Sequence, residues 1–154
     1  MYQFEIAGKP VPQAQTQFRF LKDGRRIPYN PCKVDIERIR WFVRPLAPLE
    51  PIKGPVELQI IFYLPIPLKT SLARKRQMEE RIILPIVPPD EDNLSYLVTN
   101  ALKGIVYEDD AQICKKVVYK FYSENPRTHI TVRRIETIFH NGSLEVKESD
   151  AGNL

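Results

Sequence analysis

Asp90, Asp92, Asp109 and Asp110 lie in one short run, "PPDEDNLSYLVTNALKGIVYEDDAQI", from Pro88 to Ile113. Carboxylates held within a few ångströms raise one another's pKa, and burial adds to that cost. A divalent cation offsets it. The run contains no His or Cys, and hard oxygen donors alone select Mg²⁺ or Mn²⁺ over zinc. Around this acidic run the chain is basic, with 23 Lys and Arg against 19 Asp and Glu and a formal net charge of +4. A positive surface favours an anionic partner, and a metal on carboxylates can activate water against a phosphodiester. Together these features suggest a nuclease. A plainer account stays open at this level: Asp92 caps a helix, and "EDD" is a polar turn.

Other chemistries have less to stand on. Cys32 and Cys114 lack the paired spacing of a zinc or redox motif, and His129 and His140 are solitary. No Gly-rich phosphate loop is present to support a nucleotide phosphohydrolase. No apolar stretch approaches the roughly 18 residues needed to span a membrane, and "MYQFEIAGKP" lacks the pattern of a signal peptide. A cytoplasmic location without membrane attachment is therefore expected.

The 154 residues suffice for one domain with its own core. "YQFEIAG" alternates as a first strand, and the proline-bounded segment after it reads as a loop or irregular hairpin turning at "KDGR". Helical periodicity runs from Cys32 to Val43 through Val34, Ile36, Ile39, Trp41 and Phe42, with Trp41 expected in the core. "VELQIIFYLPI" is a largely buried strand. Ser71 to Leu84 is a charged helix capped by Thr70 or Ser71, and its Arg74, Lys75 and Arg76 either are solvated or face a phosphate backbone.

A third helix spans 92–103, with Leu94, Leu97, Val98, Ala101 and Leu102 at helical spacing and Gly104 as its stop. "AQICKKVVYKFY" and "HITVRRI" form two more strands, and Lys115, Lys116, Lys120, Arg133 and Arg134 give them a basic or merely solvated face. The pattern predicts an α+β fold: a single domain over residues 1–137, with a mixed sheet packed against about three helices, and a polar, flexible tail over 138–154.

These elements suggest how the carboxylates meet. Pro88 and Pro89 force an extended entry, so Asp90 and Asp92 share a face and Glu91 points away. The helix is about 16–18 Å long at 1.5 Å per residue. An extended return through "GIVY" covers about 20 Å at roughly 3.3 Å per residue and would bring Asp110 level with Asp92.

The same run, followed by "KKVVYKFYSENPRTHITV", resembles the RusA-type Holliday junction resolvases. "GKPVPQAQTQFRF" and "GRRIPYNP" are similar to that family's N-terminal strand and loop. The resemblance covers nearly all of residues 2–135. It implies a homodimeric, Mg²⁺-dependent endonuclease that cuts four-way DNA junctions symmetrically, in a bacterial or prophage setting. It places the catalytic, metal-binding aspartates on Asp90, Asp92 and Asp110, with Asp109 in reserve and Asn93 orienting the turn. DNA contacts are expected from Arg19, Arg25, Arg26, Arg74, Lys75, Arg76 and Lys120.

Three positions depart from the family pattern. A lysine usual on the first helical turns is Tyr96, an acidic residue near the helix end is Asn100, and basic loop positions are Gln15 and Gln17. A tyrosine donates a hydrogen bond but carries no charge to place beside a phosphate. The alternative is therefore a relative that binds junctions and cuts them weakly or not at all.

Overall fold

The computed structural model describes residues 1–140 and 143–147. Four strands form the central sheet: β1 (Tyr2–Ala7), β4 (Val56–Pro65), β5 (Ile113–Ser123) and β6 (Arg127–Arg134). Their order is β1-β6-β4-β5, antiparallel except for the parallel pair β4 and β5. A parallel pair needs a long crossover. Here it contains α2 (Leu72–Glu79) and α3 (Glu91–Leu102). With α1 (Lys33–Val43) these are the three α-helices among the described residues, so the expected single α+β domain with a mixed sheet is what forms. No helix among the described residues is long and apolar enough to cross a membrane.

The core lies between one face of the sheet and the two helices α1 and α3. Leu58, Ile60 and Phe62 of β4 meet Leu94, Leu97, Val98, Ala101 and Leu102 of α3, all at most 2% exposed. The α3 spacing read from the sequence is thus its buried face. The inward stripe runs from the N-cap Cys32 through Ile36, Ile39 and Val43 of α1. Trp41 lies two residues past Ile39, roughly 200° around the helix. It is 70% exposed, which corrects its expected place in the core. Arg40 Nε ties α1 to α3 by donating to the Ala101 carbonyl at 3.2 Å.

Several boundaries shift. α2 ends at Glu79 rather than Leu84, because Arg81 turns left-handed (φ 61°) and lets the Ile82 and Ile83 amides bond back to the Gln77 carbonyl. The segment expected as a loop or irregular hairpin contains a regular two-stranded arm, β2 (Gln17–Phe20) with β3 (Arg26–Tyr29). β7 (Glu136–His140), which runs into the stretch expected as a tail, pairs with β8 (Ser143–Lys147). The signal for that pairing was present: Asn141-Gly142 between alternating stretches is a hairpin sequence.

"GIVY" is no strand. Gly104 takes φ 74° and its amide bonds the Tyr107 carbonyl at 2.8 Å, closing a tight turn. Val106 and Tyr107 are fully buried in that turn, and the Tyr107 hydroxyl donates to the Thr99 carbonyl at 3.0 Å. Burial pushes the Tyr107 phenol well above its usual range.

Candidate functional site

α3 carries a carboxylate pair at each end. Asp90, not Asp92, stands at the N-cap position, extended at φ −68° and ψ 148° but making no side-chain cap bond, and Asp92 already lies within the helix. Both are exposed, and neither carboxylate has a hydrogen-bond or ion-pair partner among the described residues. Glu91 is half-buried, with Oε1 enclosed and unpartnered. An unpaired anion is tolerable at this end because the helix dipole and free amides favour negative charge there.

The other pair is occupied. Lys103, which closes α3, holds Asp109 Oδ2 at 2.6 Å and Asp110 Oδ1 at 2.9 Å. Asp109 also accepts from the Ala111 amide at 3.0 Å, capping the short 3-10 turn 110–112. The Lys103 ammonium, and next the Ala111 amide, hold the Asp109 carboxyl down at about 2, and the two aspartates push the Lys103 ammonium well above its ordinary range.

Because the chain turns tightly at 104–107 instead of running extended, Asp110 is not carried back level with Asp92. The twelve residues of α3 put about 17 Å between its ends. Among the described residues no group of three or more His, Cys, Asp or Glu side chains is placed to hold a metal ion. The oxygen donors suit Mg²⁺ in kind, but the arrangement within one chain does not fit it.

The free end has cations close by that the sequence had left on an undivided basic face. β5 runs antiparallel to α3, so Lys116 Nζ donates to Ser95 Oγ at 3.1 Å and Lys120 Nζ to the Pro89 carbonyl at 3.0 Å. Strand alternation sends Lys115 to the opposite, open face of the sheet, where Glu57 lies 3.6 Å from Lys115 and 3.9 Å from Arg133. The period-2 pattern of "CKKVVYK" was the signal that separates them. Tyr96 is exposed beside this end, as are Asn93 and Asp92.

The remaining basic residues lie on two other elements. Arg19, Arg25 and Arg26 are on the β2–β3 arm, with Arg25 engaged by Asp23 at 2.7 Å. Arg74, Lys75 and Arg76 are on α2, where Lys75 approaches Glu124 at 4.0 Å. His129 pairs with Glu5 on the open face of the sheet; the side chain of His140 lies outside the described residues.

The sequence profile of a family described as "Endodeoxyribonuclease RusA" matches residues 7–133, most of the chain. The chain belongs to the RusA endodeoxyribonuclease family. The RusA match runs from the last residue of β1 into β6 and so takes in both carboxylate pairs, the two lysines and the arm. The chain is also 30% identical over 138 residues to "Uncharacterized protein YqaN" of Bacillus subtilis (strain 168), covering 86% of this chain and 95% of that protein.

Proposed function

We propose that this RusA-family chain is a homodimeric endonuclease of branched DNA that hydrolyses phosphodiesters with Mg²⁺ or Mn²⁺. The observation that carries this reading is the free end of α3: two unpartnered, exposed carboxylates flanked by the Lys116 and Lys120 ammonium groups. Lysines so placed draw a DNA phosphate towards Asp90 and Asp92, and the arginines of the arm and of α2 extend that attraction along the backbone. A divalent ion would supply an activated water and charge neutralisation at the phosphate.

Among the described residues, one chain offers two exposed, unpartnered carboxylates at that end. A four-way junction has two-fold symmetry, and a two-fold partner has its own Asp110 to offer. Asp90 and Asp92 of one protomer with Asp110 of a second copy would make up the three-carboxylate set, Asp109 being the alternative third member.

A specific observation favours a second reading, that the chain binds junctions without cutting them. Tyr96 offers only a hydroxyl, and among the described residues no three carboxylates of one chain meet. Cleavage of a synthetic four-way junction in Mg²⁺ and in Mn²⁺, by the wild type and by Asp92→Asn, decides. The expected result is cutting by the wild type, a loss of at least about 100-fold in the variant, and junction binding retained. Binding without cutting by the wild type in either metal would establish the second reading. Equal loss of binding and cutting in the variant would remove Asp92 from the metal site.

A further inference from the structure

All eight residues of the β2–β3 arm are exposed, so the arm has two wet faces and no core beneath it. Register puts Phe18, Phe20, Arg26 and Pro28 on one face, and Gln17, Arg19, Ile27 and Tyr29 on the other. Phe20 is 69% exposed and Phe18 49%. An isolated two-stranded hairpin is marginal in water. Here cations on rings stiffen it. The Arg26 guanidinium lies 4.2 Å from the Phe18 ring centroid and 5.7 Å from that of Phe20, and Arg19 lies 5.6 Å from Tyr29.

The tip is closed by Leu21 and Arg25 and by Asp23, which accepts from the Arg25 amide at 3.1 Å. The root is fastened to the candidate site. The Gln13 amide donates to the Asn93 carbonyl at 2.8 Å, one residue past Asp92. Beside it a polar cleft of about 380 Å³, lined by Gln15, Thr16, Asn30, Asn93, Tyr96 and Asn100, separates the root from α3.

Exposed aromatics on a free arm need an occupant. Residues 17–29 carry Arg19, Lys22, Arg25 and Arg26 against Asp23 alone, a net charge of +3. That charge complements a polyanion and repels the same arm of a second copy. In a stacked duplex the faces of the bases are hidden. Where strands exchange, unstacked bases present them, and aromatic rings bind such faces without regard to sequence. We propose that the β2–β3 arm is a stacking finger, with Phe18, Phe20 and Tyr29 taking unstacked bases at a DNA branch point while the neighbouring arginines meet the phosphates. The proposal rests on the branched-DNA reading and deepens it by assigning preference for branched over linear DNA to the arm.

The test is binding in EDTA, where cutting plays no part. A four-way junction carrying 2-aminopurine at the branch is titrated beside a linear duplex of equal length, with wild type, Phe18→Ala/Phe20→Ala and Phe18→Leu/Phe20→Leu. The wild type should change the branch fluorescence and prefer the junction. Both double variants should lose that fluorescence change and roughly 10- to 100-fold in junction affinity. Duplex affinity should fall less than about threefold, since the arginines remain.

Equal losses on both DNAs, no loss on either, or a wild type without junction preference would overturn the proposal. Full activity of the Leu variant would too, because bulk without a π-face would then suffice. A smaller sedimenting species for the variants than for the wild type would assign the arm to subunit contact instead. Failure of the nuclease reading is visible separately, as junction binding with no cleavage in Mg²⁺ or Mn²⁺.

Discussion

At the C-terminal end of α3, Asp109 and Asp110 close on the Lys103 ammonium within 3 Å; at the N-terminal end, Asp90 and Asp92 face solvent with no ion-pair partner among the described residues. Each arrangement suits its place. A cation complements the negative end of the helix dipole, and anions complement the positive end. The lysines nearest the free pair are turned to Ser95 Oγ and to backbone carbonyls at 87 and 89 rather than to the carboxylates. A carboxylate already paired with an ammonium has less to gain from a metal than one left open. The comparison thus separates an acidic pair held by a lysine of its own chain from a pair left open.

The sharpest way to break that contrast is to divide the two pairs between subunits. Asp92→Asn and Asp110→Asn should each be inactive alone. Mixed and re-equilibrated, they should recover nicking to about a quarter of the wild-type rate, because each mixed dimer keeps one complete set of ligands. No recovery on mixing would show that the two ends of α3 never serve one site.

A smaller effect is expected from the lysines beside the free pair. Lys116→Met with Lys120→Met should weaken junction binding in EDTA by roughly 3- to 10-fold and lower the slope of log affinity against log salt by about 1 to 2. An unchanged slope would show that neither ammonium meets a phosphate.

The smallest effect belongs to the lysine that holds the occupied pair. Lys103→Met should raise the Asp109 titration midpoint, followed by carboxyl carbon NMR, from about 2 towards the ordinary carboxylate value near 3.8. A carboxyl whose pKa is depressed by folding contributes stability above its unfolded value. That contribution is lost as pH falls through the folded value. The wild type's advantage over Lys103→Met should therefore be full above about pH 4 and fade towards pH 2. It should be modest, since this ion pair is solvent-exposed. An Asp109 midpoint that ignores the substitution would remove Lys103 as the cause.

Much of this molecule could be read locally. The apolar period of α3, the buried run of β4 and the alternation of β1 each follow from contacts a segment makes on one face. Trp41 and Val34 misled because α1 has apolar residues on two sides, and only packing against the sheet and α3 selects the stripe through Ile36 and Ile39. "GIVY" misled more seriously. Its β-branched and aromatic residues suit a strand, but Gly104 permits a tight turn that buries Val106 and Tyr107 against the end of α3.

The sequence by itself determined which side chains flank the helix: four aspartates, in a basic chain whose residues 7–133 match the RusA family. Side-chain chemistry and short-range periodicity are properties of neighbouring residues, so they are legible there. Only the tertiary structure decided that the aspartates divide between the ends of α3, and that β5 brings Lys116 and Lys120 to the free end. Those placements depend on where the turn at 104–107 buries its side chains and on a parallel pairing of β4 with β5 across more than fifty residues, which no local pattern encodes.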